Sequence, residues 1–428
     1  MKYTFLLHLL LTLSLLCACH DNAPTDPVEP GSTTARRTVL VYMAAQNGLC
    51  NNASADSAEI MNGRHYLANN DRMLFFVDDG QAPRLYRVVR QWAQPQLVKT
   101  WNKDFCSTSP QSLQSVLATV KSEFPATEYG LVMWSHADGW LPATDTQYPT
   151  ASVSTQLPSA RPFSFGIDTG NLPNSTDQGT QMNITDLAQA ISNSGIHCKY
   201  ILFDACLMQN LEVDYALRHV TDYVIAAPIS IHSAGAYYTH QLRSGLFAQS
   251  PDSIALTYYQ DVCLYADSIY DNMGIVVSCV QTDQLAPLAA ALKQALPHSL
   301  LVYHQSPDMS DVLNYQSYDW RYYWRPHNYD ARQAINRLVP YEPYRSQVLQ
   351  ALDNAVVAHY ATPQVWVGPG YFTFCTIPIS SNNFRGVSMF VPQTVYADNA
   401  EACRYGNLNE LFQQTEWYQA CGFDSTQW

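Results

Sequence analysis

The sequence predicts an α/β fold built on a mainly parallel sheet. Three observations carry this expectation. Short apolar runs recur along the chain and alternate with segments of helical pattern. The runs are unbroken rather than alternating with polar residues, as in strands buried on both faces. Two of them lead directly into residues able to do chemistry, and α/β sheets open their sites at the carboxyl ends of strands.

Residues 1–19 read as an export signal: Lys2 is the positive start, Phe5 to Leu16 the apolar core, and Leu16-Cys17-Ala18-Cys19 resembles a bacterial lipobox with Cys19 as the lipidated residue. No later apolar run is long enough to span a bilayer. Residues 20–36 form a Pro/Ser/Thr/Gly tether without periodicity. A main domain is expected over 37–283, with strands at Thr38–Met43, Met73–Val77, Gly130–Trp134, Tyr200–Phe203, Tyr223–Ala227 and Gly274–Val280. Helices are expected at Ala53–Ala68, Ser112–Phe124, Thr185–Ser192 (with Thr185 as its cap) and from about Leu207 to His219. The segment from Pro142 to about Asn183 breaks this rhythm; irregular stretches of that length are usually functional or disordered.

From residue 284 onward a smaller α+β subdomain is expected to pack on the core. Its helices are Gln284–Leu296, Tyr344–Tyr360 and Leu408–Trp417, and its strands Gly370–Ile379 and Gly386–Val391. The aromatic stretch from Tyr315 to Trp324 reads as core or interface filling. The 428 residues are 47% hydrophobic and carry a formal net charge of −13 with no Lys/Arg cluster, which argues against a nucleic-acid partner. Eleven cysteines are present, but their spacing forms no framework, and no specific bridge is expected.

The run Tyr200-Ile-Leu-Phe-Asp-Ala-Cys206 places a cysteine just past a strand and, on this reading, just ahead of a helix N-terminus that would favour a thiolate. A packed structural thiol is the competing reading of this segment alone. His136 follows the strand Tyr129-Gly-Leu-Val-Met-Trp134 in the same way. If the two strands are neighbours, the imidazole and the thiol open into one crevice as base and nucleophile. The backbone N–H groups of Ala137 and Cys206 are then placed to hold the oxyanion of acyl transfer. His136 and Asp138 alone do not make a metal site, because no second ligand cluster stands at metal spacing. No Gly-rich phosphate loop and no Gly-x-Ser-x-Gly elbow occur.

From Thr38 to near Phe423 the chain resembles the clostripain-like cysteine peptidases, relatives of caspases and gingipains. The resemblance rests on Thr-Val-Leu-Val-Tyr-Met-Ala-Ala45, Gly-Leu-Val-Met-Trp-Ser-His136, Asp222-Tyr-Val-Ile-Ala-Ala-Pro228 and, most specifically, Phe-Asp-Ala-Cys-Leu-Met208. It implies a caspase-like three-layer α/β/α sandwich as catalytic domain over 37–283. It also implies a Cys206–His136 dyad and protein or peptide substrates cleaved after Arg or Lys, with Asp204 in the pocket for that side chain. A monomer is expected, held at the outer membrane by its lipid alone. No cofactor is required; calcium activates some relatives, and Asp168 and Asp177 are possible ligands, though loop aspartates are usually just solvated. The chain departs from the family pattern in three places. His-Gly becomes His136-Ala137. The stretch Ile229-Ser-Ile-His-Ser-Ala-Gly-Ala236 has no carboxylate. Between Ala137 and Cys198 the sole basic residue, Arg161, precedes Pro162. The first two motivate an alternative, a binding or regulatory lipoprotein that has kept the fold and lost turnover.

Overall fold

The computed structural model describes residues 34–102, 105–142, 164–176, 179–316, 326–367, 374–398 and 406–428. Its central sheet has nine strands: β1 (Ala35–Ala44), β2 (Asp71–Asp78), β3 (Arg84–Val88), β4 (Gln96–Thr100), β5 (Ala126–Trp134), β6 (Cys198–Asp204), β7 (Tyr223–Ala226), β8 (Val276–Gln281) and β9 (Val356–Ala361). They lie in the order β9-β8-β7-β6-β5-β1-β2-β3-β4. The central strands β7-β6-β5-β1-β2 pair in parallel. Antiparallel strands flank them on both sides. All six expected runs are strands of this sheet.

The unbroken apolar runs follow from burial on both faces. Along β1, Leu40, Tyr42 and Ala44 face one core, while Val39, Val41 and Met43 face the other. Successive side chains point to opposite sides of a sheet, so a doubly covered strand must be apolar at every position. The first core is closed by the helices Pro110–Glu123, Ile184–Ser194, Leu211–Leu217, Leu285–Ala295 and Tyr344–Ala355. The second lies under Cys50–Gly63 and Asp252–Leu264. The result is the three-layer α/β/α sandwich. Among the described residues no helix is long and apolar enough to cross a membrane.

Several boundaries differ from expectation. The helix expected from about Leu207 begins at Leu211, because Leu207 has φ +63° and the Asn210 side chain caps the helix by accepting from the Val213 N–H. The helix expected at Thr185 starts at Ile184, with Asn183 at its N-cap position. The expected helix Tyr344–Tyr360 ends at Ala355, and the chain continues as β9, through which the region from 284 onward supplies an edge strand to the main sheet. The expected helix Leu408–Trp417 divides into Leu408–Gln413 and Glu416–Cys421, where Thr415 caps the second. Strands β3 and β4 were not expected; both are partly exposed and lack long apolar runs. Of the aromatic stretch, Tyr315 is buried and donates to Asp330 Oδ2 at 2.7 Å, while Tyr318 to Trp324 fall outside the described residues. Cysteines 50, 106, 198, 206, 263, 279, 375 and 421 are free thiols.

Gly130 in β5 is a packing requirement. A Cβ there would sit 2.4 Å from the Tyr200 ring, which is fully buried and anchored by its hydroxyl to the Leu246 carbonyl at 2.8 Å. Overpacking of this kind costs about 1–3 kcal/mol. Gly130→Ala should lower the urea midpoint accordingly, and an unchanged midpoint would contradict this packing.

Candidate active site

Strands β5 and β6 are neighbours, and the ends of their ladder, Trp134 and Asp204, are register partners. From that pair the chains run on as Ser135-His136 and Ala205-Cys206. Sequence separation is thereby converted into proximity at one edge of the sheet: His136 and Cys206 each stand two residues past matched positions. Both are partly exposed, whereas Ser135, Ala205 and Leu207 around them are buried.

The histidine turn is fixed from behind. Ser135 Oγ donates to the Ala44 carbonyl at 2.6 Å. Asn47 Nδ2 reaches the carbonyls of Ala44 (2.9 Å) and Ile167 (2.8 Å) and Ser135 Oγ (3.2 Å). The segment Phe165–Asp168 returns alongside: Gly166 N–H donates to the His136 carbonyl at 2.9 Å, and Ala137 bridges Phe165. The bonds on either side of that bridge use the N–H groups of Gly166 and Asp138, not that of Ala137.

The cysteine turn is fixed by its own backbone. Leu207 donates to Ile229 O at 2.9 Å, and its carbonyl accepts from Asn210 Nδ2 at 2.7 Å. These bonds hold a positive φ that leucine rarely adopts. Gly139 keys the two turns together. Its φ is +66°, and a Cβ there would lie 2.7 Å from Leu207 O and 2.8 Å from Asn210 Nδ2. Cys206 Sγ lies 3.9 Å from Ile231 O. The expected help from a helix dipole is corrected: the helix begins at Leu211, five residues beyond the cysteine, and that effect fades within a turn.

Asp204 is buried on the face of the sheet that Trp134 also occupies. It accepts from Ala236 N–H at 3.1 Å, Tyr238 Oη at 2.9 Å and Tyr258 Oη at 3.4 Å. Burial pushes its carboxyl up to about 6, and these three donors limit the rise. Two further carboxyls, not anticipated from sequence, come from the helix Cys50–Gly63. Asp56 accepts from Trp134 Nε1 at 2.7 Å, and burial, then the charges of Asp204 and Glu59, push it up to about 9. Glu59 accepts from Tyr238 N–H at 3.0 Å; burial pushes it up to about 7. Acidic residues spaced three apart on a helix that must cover a sheet were the available signal.

Of the other residues singled out in the sequence, Cys19, Arg161 and Asp177 lie outside the described residues. Asp168 is described, and the expectation of a solvated loop aspartate is corrected: it is 3% exposed. Among the described residues no three His, Cys, Asp or Glu side chains gather as a metal cluster.

A mainly parallel α/β/α sandwich with a cysteine and a histidine at adjacent strand ends is the architecture of caspase-like cysteine peptidases. The chain belongs to the clostripain family, whose model matches residues 41–419. Among solved structures it is similar to a secreted C11 cysteine protease from Bacteroides thetaiotaomicron in complex with an irreversible peptide inhibitor. That likeness has 29% identity and a TM-score of 0.73 and covers 91% of this chain and 100% of the other. An inactive zymogen C11 protease from Parabacteroides distasonis is 27% identical, with a TM-score of 0.70 over 92% of this chain and 99% of the other. A second secreted B. thetaiotaomicron C11 protease, "iotapain", shares the fold at 20% identity, with a TM-score of 0.71 over 91% of this chain and 99% of that one. No curated protein matches the chain. The protein is a cysteine peptidase, a hydrolase acting on protein or peptide substrates.

The three raised carboxyls set a pH dependence. Each holds its proton to higher pH in the folded chain than in the unfolded one, so folding takes up protons between the two values. Their contribution is fully present below about pH 4 and is lost as pH climbs through about 6, 7 and 9. Denaturant midpoints should therefore fall over this range, and Asp56→Asn should flatten the part of the slope above pH 7. The same slope in wild type and variant would exclude the cluster as its source.

Proposed function

We propose that the protein is an endopeptidase that cleaves after Arg or Lys, with Cys206 as nucleophile and His136 as base, and that lipid on Cys19 anchors it to a bacterial outer membrane. The observation that carries the dyad is the register of β5 and β6, which delivers both residues to the same edge. In this reading His136 takes the thiol proton as Sγ attacks the scissile carbonyl carbon. The carbonyl π electrons move onto oxygen, where the N–H groups of Ala137 and Cys206 receive the charge. Collapse expels the amine, which takes the proton from His136, and leaves a thioester on Cys206. A water deprotonated by His136 then attacks the thioester carbon; collapse breaks the C–S bond, releases the acid and lets Cys206 Sγ recover its proton from His136.

Support for a basic side chain before the scissile bond comes from the carboxyl of Asp204, buried two residues before the cysteine. The loop 229–236 offers none, but Asp56 and Glu59 stand beside Asp204 and act on one another electrostatically. Asp204 already receives bonds from Ala236, Tyr238 and Tyr258. Its role toward a guanidinium or ammonium is therefore the field of a buried anion more than a pair of open acceptors. Lipidation rests on the Leu16-Cys17-Ala18-Cys19 motif.

A thiol-directed peptidyl probe should label wild type and not Cys206→Ala, and His136→Ala should lower kcat/KM by about 10²–10⁴-fold. Labelling that survives in Cys206→Ala would sink the assignment. In a positional peptide library, Asp204→Ala should lose much of the Arg/Lys preference; full retention would remove Asp204 from that role. Proline after Arg161 blocks hydrolysis there by removing the amide N–H. Purified wild type should not cut itself after a basic residue between Ala137 and Cys198, and a fragment ending at Arg161 in wild type but not in Cys206→Ala would refute this.

A further inference from the structure

The loop after β7 carries a histidine that the peptidase chemistry does not use. This loop runs past the cysteine turn. Leu207 N–H donates to the Ile229 carbonyl at 2.9 Å, Cys206 Sγ lies 3.9 Å from Ile231 O, and Ala236 N–H donates to Asp204 at 3.1 Å. Residues 229–236 belong to no helix or strand, so individual hydrogen bonds must hold their shape. His232 to Gly235 form a tight turn, closed by Gly235 N–H donating to the His232 carbonyl at 2.9 Å. Two side chains from outside pin it. Asn52 Nδ2 donates to the Ser233 carbonyl at 2.9 Å, and the Tyr270 hydroxyl donates to the Gly235 carbonyl at 3.1 Å.

The His232 ring completes the turn from its own side. Nδ1 accepts from Ala234 N–H at 3.1 Å, and Nε2 lies 3.3 Å from Asp271 Oδ2. A ring nitrogen that accepts carries no proton, so the proton of the neutral ring sits on Nε2, toward Asp271. Asp and Asn side chains commonly accept from the backbone two residues on in this way. Imidazole can do so only while neutral. A protonated ring is a donor at both nitrogens and sets Nδ1–H against Ala234 N–H. The titratable neighbours do not offset that conflict. Asp271 favours a charged ring, but its side chain is 75% exposed, and pairs so open to water are worth little. Tyr270 meets the ring edge to face at 5.9 Å; burial pushes its hydroxyl up, so it stays neutral. Cys206 and Asp204 meet the loop at Ile231 and Ala236.

We infer that His232 is a positioning residue for substrate binding: its neutral imidazole holds the turn 232–235, and through it the loop between Cys206 and Asp204, and its protonation releases both. Histidine is the side chain whose charge ordinarily changes between about pH 5 and 8. Peptide binding therefore weakens in acid for a reason separate from the titration of the dyad. The inference rests on the reading of Cys206 and Asp204 as the substrate side of the cleft. His232 acts through the loop rather than on the reacting atoms, so its effect falls on KM.

The first test is amide hydrogen exchange, which needs no turnover and so stands apart from the peptidase assignment. The full chain is prepared as Cys206→Ala, alone and with His232→Asn or His232→Ala. Exchange of the peptide spanning 229–238 is followed from about pH 8 to about pH 5 and corrected for intrinsic rates. The parent should lose protection about tenfold on acidification. His232→Asn, whose Oδ1 can accept from Ala234 and does not titrate, should stay protected throughout, and His232→Ala should be unprotected at both ends. Parent protection that does not change with pH overturns the inference, as does a His232→Ala loop as well protected as the parent. The second test measures KM and kcat with Cys206 in place. KM of wild type should rise in acid while KM of His232→Asn stays level, and the same KM–pH curve in both overturns the inference. Should His232→Ala fail to fold, the parent and His232→Asn decide. A wild type without turnover refutes the peptidase reading, and exchange then decides the role of His232 by itself.

Discussion

The structure depends on the pairing of β5 with β6. Their ladder runs through Leu131–Ile201, Val132–Leu202 and Met133–Phe203 to Trp134–Asp204, with apolar side chains entering cores on both faces. A slip by one residue would exchange the two faces along the whole strand, and here neither face is solvent that could tolerate the exchange. Gly130 adds a steric lock, since the Tyr200 ring fills the space its side chain would take. Register is thus fixed by packing inside the sheet, and the edge where His136 and Cys206 emerge inherits that accuracy.

Around this edge the chain accepts unfavourable local terms and offsets them with directed hydrogen bonds. Leu207 keeps a left-handed backbone because Ile229 and Asn210 hold both sides of it. Asp204 stays buried because three donors converge on it, one from the Ala236 backbone and two from tyrosine hydroxyls. The loop 229–238 is therefore ordered by the same carboxylate that lies two residues before the cysteine, and Gly235, whose Cβ would stand 2.6 Å from that carboxylate, lets the loop come so close. Local geometry and electrostatics at the site share one set of atoms.

Much of this was legible in the sequence. The six apolar runs were strands because double burial leaves no polar positions to confuse the pattern, and the two strand ends carrying His136 and Cys206 were found from those runs. What was missed has physical reasons. Strands β3 and β4 are half-exposed, so their composition does not differ from that of loops. Strand β9 continues directly from a helix with no Gly or Pro between them. The apolar spacing through Met208 looks helical and points to a start four residues early, while Asn210 caps a helix that starts at Leu211. Asp56 and Glu59 show in the sequence only a spacing of three along a helix, since what makes a carboxyl unusual is what surrounds it, and their neighbours Trp134, Asp204 and Tyr238 are distant in sequence.

The order of the strands also has a kinetic side. β1, β5 and β6 are adjacent in space but are separated along the chain by whole helices and by the long segment after Trp140. Parallel pairing of such distant segments must close large loops before any contact rewards it, which makes it slow. An incompletely folded chain therefore carries a thiol and an imidazole that have no fixed relation to each other. In the proposed peptidase the hydrolytic centre comes into being only when the middle of the sheet closes, so nascent molecules are harmless to one another through the period when their own backbones are most vulnerable.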